Sequence, residues 1–98
     1  SGAVSRAYKY DGDNVNRGVR CDSDGNISVS FALNAESPVN VAFYDSETGK
    51  EIDSITVAAG TDGTAHVFSG FDAEKTYDVV ISGKTGSDWI IEGTYRIN

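Results

Sequence analysis

The strongest structural signal in this sequence is one alternating octapeptide, Asn26-Ile27-Ser28-Val29-Ser30-Phe31-Ala32-Leu33. Its large apolar side chains occupy every second position, and small or polar residues lie between them. Because successive side chains of a β-strand point to opposite faces, this period of two predicts a strand with one buried face. The octapeptide therefore indicates an antiparallel sheet that covers a core on one side.

Extended segments with the same period lie on both sides of the octapeptide. In the next apolar segment, Val39, Val41 and Phe43 share one face. The same reasoning predicts strands over 51–58, 64–69, 77–81 and 89–97, and edge strands over 3–10 and 18–22 around a loop at 11–14. For the segment 64–69 the pattern allows two inward sets, either Ala65 and Val67 or His66 and Phe68.

The spacing of these segments indicates an all-β fold. Gly, Asp and Ser residues separate them at intervals of about 10 to 12 residues, and no long segment repeats with the helical period. Seven or eight short strands with such turns predict an antiparallel β-sandwich of the immunoglobulin or fibronectin III type. A small closed barrel is the alternative.

Length and composition predict one folded domain. The chain has 98 residues, of which 39% are hydrophobic and 23% are charged. It contains no Met, so we interpret it as a processed product or an excised fragment, with Ser1-Gly2 as a cloning remnant and 3–98 as a single domain. No stretch is long and apolar enough for a membrane helix, so any membrane attachment would belong to a parent chain outside this fragment.

The charge balance limits the partners that the chain could bind. Fifteen acidic and eight basic residues give a net charge of −7. Nucleic acid is therefore not expected as a partner, because binding phosphates requires a high density of Lys and Arg. We expect a monomer whose partner is a protein or a glycan.

The sequence offers little for catalysis. His66 is the sole histidine and Cys21 the sole cysteine, which excludes a two-histidine metal motif and an internal disulfide. No serine lies in a nucleophile-elbow motif, and Arg20 would point to the opposite face of a strand from Cys21. We expect no enzyme activity, no cofactor, a structural His66 and a partly buried, inert thiol.

One acidic turn is a weak candidate for a calcium site. Asp22 and Asp24 precede Gly25 in the manner of a calcium loop, which needs several oxygen ligands on a tight turn. The twelfth position counted from Asp22 is Leu33, where a calcium loop of this type requires a bidentate Glu. A hairpin turn uses the same residues, so we interpret this segment as a turn and predict no metal site.

Aromatic residues are candidates for binding a glycan. Tyr8 and Tyr10 share a face of a predicted edge strand, and Tyr44 has the opposite parity to Phe43 and is expected to be exposed. Aromatic faces of this kind could stack on sugar rings. Trp89 shares the parity of the apolar residues in the last strand, so it is expected to be a structural core residue.

The segment 68–79 resembles the corner between the penultimate strands of fibronectin type III and related sandwiches. Phe71 is followed by a short polar crossover, and Tyr77 begins the next strand. The resemblance implies that both are structural residues. If the Tyr77 ring is buried, its hydroxyl needs a partner, and the nearest are backbone groups between Phe71 and Thr76.

A wider resemblance covers residues 3–98. It rests on these segments: Ala3-Val4-Ser5-Arg6-Ala7-Tyr8, Cys21-Asp22-Ser23-Asp24-Gly25, Val41-Ala42-Phe43-Tyr44-Asp45-Ser46-Glu47-Thr48-Gly49-Lys50, Gly70-Phe71 with Tyr77, and Gly93-Thr94-Tyr95 with Ile97. The order is similar to the C-terminal extracellular sandwich of Gram-positive membrane zinc metallopeptidases of the β-lactam-sensor type. That resemblance implies an extracellular or cell-surface location. It also implies that the zinc-binding helix lies outside this chain, so no catalytic residue is carried over.

Together these observations predict a non-catalytic interaction or sensing module that belongs to a larger bacterial surface or membrane protein. The alternative is a carbohydrate-binding module that uses the exposed tyrosines. An exposed pair of coplanar aromatic rings would favour the carbohydrate hypothesis, whereas a cleft with His66 beside a carboxylate would favour an enzyme.

Overall fold

The computed structural model describes residues 4–9, 13–34, 39–57, 65–83 and 92–98. Within these ranges the chain is all-β and contains no helix. The strands are β1 Val4–Lys9, β2 Asp13–Val19, β3 Ile27–Asn34, β4 Val39–Asp45, β5 Glu51–Val57, β6 Ala65–Phe68, β7 Tyr77–Gly83 and β8 Glu92–Ile97. The all-β fold predicted from the period of two is confirmed.

The strands pair into two four-stranded antiparallel sheets. Sheet A has the strand order β1-β8-β3-β6, and sheet B has the order β2-β7-β4-β5. Each sheet therefore has two edge strands, so the described strands do not close into the single barrel that was the alternative. The edge position predicted for 3–10 is confirmed by β1.

The two sheets pack against each other over apolar side chains. The ring of Phe43 on β4 lies 4.7 Å from that of Phe68 on β6, measured between centroids. The alternation predicted most of this core. Its buried members in the strands are Val19, Ile27, Val29, Phe31, Val39, Val41, Phe43, Val57, Phe68, Tyr77, Val79, Ile81 and Ile97. On β6, Phe68 is buried and Val67 is exposed, which decides between the two inward sets.

Strand β2 corrects the prediction for the first part of the chain. It begins at Asp13, inside the expected loop, and ends at Val19, where a strand over 18–22 was expected. Its register on β7 shifts between Asn16 and Val19, and Gly18 between them has a φ of 71°. Such a bulge interrupts the alternation, and the surrounding polar residues carry no apolar signal.

The structure describes only part of the predicted last strand, 89–97. Strand β8 begins at Glu92, and 84–91 lie outside the described residues, so the interpretation of Trp89 is not addressed. Strand β8 occupies the interior of sheet A, where it pairs with β1 on one side and β3 on the other.

Candidate functional site

Strand β5 is a highly exposed edge of sheet B. Residues 51–56 are all exposed, and Val57 alone among its residues is buried. Ile52 exposes 50% of its surface and Ile55 exposes 45%. Single exposed apolar residues are common on proteins, but two on one unpaired strand edge form a candidate contact surface.

The backbone hydrogen bonds at the end of β4 show which residues of β4 face β5 and which face β7. At the end of β4, the N–H of Asp45 donates to the carbonyl of Lys50 at 2.9 Å, on the side of β5. The N–H of Ser46 donates to the carbonyl of Thr76 at 3.2 Å, on the side of β7. Because hydrogen-bonding direction alternates along a strand, the odd-numbered residues of β4 bond to β5.

The same alternation assigns the outer edge of β5. Ile55 and Asp53 are the register partners of odd-numbered β4 residues, so their backbone groups face β4. Ser54 and Thr56 therefore present their N–H and C=O groups to the free edge. In agreement, the N–H of Ser54 donates to Oδ1 of Asp53 at 2.8 Å.

The opposite sheet leaves this edge uncovered. Strand β6 forms the corresponding edge of sheet A and has four residues. It lies over β4, because Phe68 contacts Phe43. Ile55 is the register partner of the fully buried Val41, yet it remains nearly half exposed. Strand β5 therefore extends beyond the part of sheet B that sheet A covers.

A charged cluster lies where β4 ends. Asp45 is buried, and its Oδ1 accepts the N–H groups of Glu47 at 2.8 Å and Thr48 at 3.2 Å, while Nζ of Lys75 lies 3.2 Å from Oδ2. These two N–H groups, followed by the Lys75 ammonium, hold the pKa of Asp45 below its ordinary value, although burial opposes them. Asp45 in turn raises the pKa of Lys75. With these bonds made, Asp45 anchors the turn before β5.

Asp78 on β7 holds a second polar network. Its Oδ1 accepts the hydroxyl of Ser46 at 2.6 Å and the N–H of Gly18 at 3.2 Å. Its Oδ2 lies 3.2 Å from Nη1 of Arg17, which is largely exposed. This carboxylate joins β2, β7 and the turn after β4, so its role is to connect three parts of sheet B.

The acidic turn at Asp22 forms internal hydrogen bonds. Oδ1 of Asp22 accepts the N–H groups of Asp24 and Asn26, each at 2.9 Å. The N–H of Gly25 donates to the carbonyl of Asp22 at 3.1 Å. Among the described residues, no cluster of three or more His, Cys, Asp or Glu side chains could hold a metal ion. These hydrogen bonds are those of a tight turn, as the sequence predicts.

The tyrosines proposed to bind glycans are only partly described. Tyr44, which was expected to be exposed, is half-buried, and its hydroxyl donates to Oε1 of Glu51 at 3.4 Å. The reason is that β5 pairs alongside β4 and shields its last residues. Tyr8 lies on β1 with its side chain outside the description, and Tyr10 lies outside the described residues.

The corner at Tyr77 has the predicted hydrogen bond. Tyr77 is buried, and the N–H of Asp72 donates to its hydroxyl oxygen at 2.8 Å. The rings of Tyr77 and Phe71 meet edge to face, with centroids 4.8 Å apart. Phe71 is itself bonded to the acidic turn, because its N–H donates to the carbonyl of Gly25 at 3.1 Å.

The structure describes both Cys21 and His66, the sole cysteine and the sole histidine of the chain. Cys21 is a free, buried cysteine, so the predicted burial of its thiol is confirmed and its inertness stays a prediction. The His66 ring lies 6.1 Å from that of Phe31, and its buried Nε2 has no hydrogen-bond partner among the described residues. A catalytic pair of His66 and a carboxylate is therefore not formed in the part of the chain that the structure describes.

Comparisons with known proteins give no assignment. No protein-family model and no curated protein sequence matches the chain. One solved structure, described as "Bacillus endospore appendages form a novel family of disulfide-linked pili", has a TM-score of 0.45 and 18% identity to this chain. The match covers 98% of this chain and 82% of that one, but a TM-score of this size does not identify a shared fold. The described residues contain no helix capable of spanning a membrane.

Sequence reasoning predicted a strand at β5 but not its exposed edge. The available signal is the spacing of Ile52 and Ile55, three residues apart with Asp53 and Ser54 between them. In a strand this spacing places the two isoleucines on opposite faces, so a single buried face cannot accommodate both. In the structure this departure from alternation coincides with a register shift of β5 on β4, which leaves Ile52 as an extra residue between Glu51 and Asp53.

Proposed function

We propose that this chain is a non-catalytic interaction module that binds a protein partner through the outer edge of β5. It functions outside a bacterial cell as part of a larger surface or membrane protein, as the sequence resemblance implies. The observation that carries the proposal is that the backbone N–H and C=O groups of Ser54 and Thr56 face the outer edge of β5. The exposed side chains of Ile52 and Ile55 lie beside them. A free edge of this kind can accept a strand from another chain.

Other polar groups are already engaged, which supports this choice of surface. Asp45 and Asp78 each hold several hydrogen bonds within the chain. Asp22 is bonded to its own turn. By contrast, β5 has a partner strand on one side, and on its other side no strand pairs with it among the described residues.

The two sheets are proposed to form an immunoglobulin- or fibronectin-like sandwich. The support for this finer assignment is the corner at Tyr77, whose hydroxyl accepts the N–H of Asp72. Such a corner is a structural device found in unrelated proteins, so it bears on architecture and not on the partner. Membership of a metallopeptidase ectodomain stays a prediction from the sequence resemblance.

Photo-crosslinking tests the proposed surface. Ile55 is replaced by p-benzoylphenylalanine, and Val15 is replaced in a matched control. Val15 lies on β2, the other edge of sheet B, and is 44% exposed, against 45% for Ile55. Each purified variant is irradiated on intact cells of the source organism.

A discrete adduct is expected from position 55 and not from position 15. Treating the cells with protease beforehand should remove it, whereas periodate oxidation of glycans should not. Equal yields from both positions, or no adduct from either, would contradict the proposal. Loss of the adduct with periodate alone would support the carbohydrate alternative.

A further inference from the structure

One carboxylate covers the free edge of β5. Oδ1 of Asp53 accepts the N–H of Ser54 at 2.8 Å, and that N–H faces away from β4. A strand that pairs with this edge needs the same N–H as a donor. The incoming strand must therefore displace Asp53 before the hydrogen-bond ladder can continue.

The charge of the edge indicates what could displace Asp53. Strand β5 carries Glu51 and Asp53, both exposed, and no basic residue. A Lys or Arg on the incoming strand would form an ion pair with Asp53 and draw its carboxylate away from Ser54. A neutral strand would have to break the same hydrogen bond without gaining an ion pair.

We infer that the occupant of this edge is an extended, basic segment of a partner protein, which adds to sheet B as a fifth strand beside β5. The inference rests on the proposed function and names the chemistry of the partner. A basic side chain of the segment engages Asp53 on the face that Asp53 shares with Phe43, whereas Glu51 pairs with Tyr44 on the opposite face. Apolar side chains of the segment cover Ile55 or Ile52, according to the face on which they lie.

A second copy of the chain is a poorer occupant. Each copy carries a net charge of −7, so two copies repel each other at long range. Pairing β5 with β5 would also bring together two edges that carry acids and no bases. Asp53 therefore serves two purposes, since it discourages self-association and selects for a basic strand.

Three synthetic heptapeptides serve as probes, each acetylated and amidated. One alternates Lys with Val, and the others carry Ser or Glu in place of Lys. Affinity is measured by fluorescence anisotropy at low salt, and the site is located by NMR shifts of the Ser54 and Thr56 amides. The Lys peptide is expected to bind, the Ser peptide to bind more weakly, and the Glu peptide not to bind.

Two variants of Asp53 separate its charge from its hydrogen bond. Asp53→Asn retains a carbonyl acceptor without the charge, so affinity for the Lys peptide should fall about threefold, as expected for a partly exposed ion pair. Asp53→Ala removes the acceptor, so affinity for the Ser peptide should rise about threefold. Asp72→Asn is the control, because Asp72 is also exposed and accepts the N–H of Glu74 at 2.9 Å.

Thr56→Pro tests the edge independently of charge. Its N–H faces the free edge, so proline leaves the pairing with β4 intact but should weaken binding of the Lys peptide by about tenfold or more. If Thr56→Pro abolishes binding while both Asp53 variants keep the wild-type preference for Lys, the edge is a binding site but the inference about Asp53 is wrong. If the Lys peptide fails to bind while position 55 still crosslinks on cells, the function stands and the basic partner is excluded. If the Lys peptide does not bind and position 55 does not crosslink, the proposed function and the inference about the basic partner are both overturned.

Discussion

Val41 and Phe43 on β4 are fully buried, whereas their register partners Ile55 and Asp53 on β5 are exposed. The two strands are hydrogen-bonded neighbours in one sheet, and the paired side chains lie on the same face of it. The difference arises because sheet A covers β4 through Phe68 but leaves these residues of β5 exposed, and only Val57, at the end of β5, is buried. In this molecule, burial depends on the extent of the opposite sheet as well as on strand alternation.

The largest effect expected from this comparison is that of Phe43→Ala. The ring is fully buried and lies 4.7 Å from Phe68 and 5.1 Å from Phe71, between centroids. Its loss should reduce the free energy of unfolding by about 3 to 5 kcal/mol, measured by urea denaturation. That is a large fraction of the roughly 5 to 15 kcal/mol that stabilises a small domain. A loss below about 1 kcal/mol would mean that the sheets do not meet there.

A second test compares the buried Tyr77 on β7 with the half-buried Tyr44 on β4, which lies beside β5. Tyr77→Phe leaves the N–H of Asp72 without its acceptor, so it should cost about 1 to 2 kcal/mol in urea unfolding. Tyr44→Phe removes a 3.4 Å hydrogen bond to the exposed Glu51 and should cost less than about 0.5 kcal/mol. Equal costs would contradict the assignment of the buried corner.

A third test uses the pH dependence of stability at Asp45, which ends β4. Its pKa is lowered in the folded chain, chiefly by the N–H groups of Glu47 and Thr48. The unfolded chain therefore binds the proton more readily. The stabilisation is complete above the unfolded pKa and is lost as the pH falls through the lower, folded pKa. Asp45→Asn should flatten the fall in melting temperature below about pH 4, where free carboxyl groups titrate.

Ser54→Ala is the control for this pH test, because it changes an exposed side chain of β5 that carries no titratable group. It should leave the fall in melting temperature below about pH 4 as it is in the wild type. A slope that is the same for wild type and Asp45→Asn would show that Asp45 does not act as a folded-state anion.

A fourth test, also with a small expected effect, is Ile55→Thr on β5. Threonine retains the branched shape that suits a strand, and the isoleucine is already nearly half exposed. The cost should be within about 1 kcal/mol in urea denaturation, because little buried surface is lost. Val41→Thr, its register partner on β4, should cost more, since it buries a hydroxyl among apolar side chains. Similar costs would remove the distinction between the two strands.

The sequence predicts correctly the strands whose core-facing positions are all apolar. Alternation located β3, β4 and β7, because in each strand every second residue is apolar and faces the core. The polar crossover before β7 located the hydrogen-bond partner of Tyr77. It placed β2 wrongly, because a bulge at Gly18 and polar neighbours erase the pattern. Local periodicity predicts a strand well only where the strand has no register shift and the opposite sheet covers its inward face.

The site depends on information that no short segment contains. The exposure of Ile55 depends on where sheet A ends, and the sequence of β5 does not specify that limit. The pairing of Lys75 with Asp45 spans 30 positions, and that of Arg17 with Asp78 spans 61. Such contacts follow from the strand order, which alternation alone does not determine.

The position of β8 inside sheet A determines the order in which that sheet can be completed. Strand β8 separates β1 from β3, so until Glu92–Ile97 has been synthesised and inserted β1 has no partner in sheet A and β3 is paired only with β6. Because the chain is synthesised from its N-terminus, the interior strand β8 is made after β1 and β3, the strands on either side of it. Closing such distant parts of a chain is slow, and mainly β folds of this kind typically fold in milliseconds to seconds. Until that step, the edges of β1 and β3 stay open to wrong partners, so a delay in completing the chain favours aggregation.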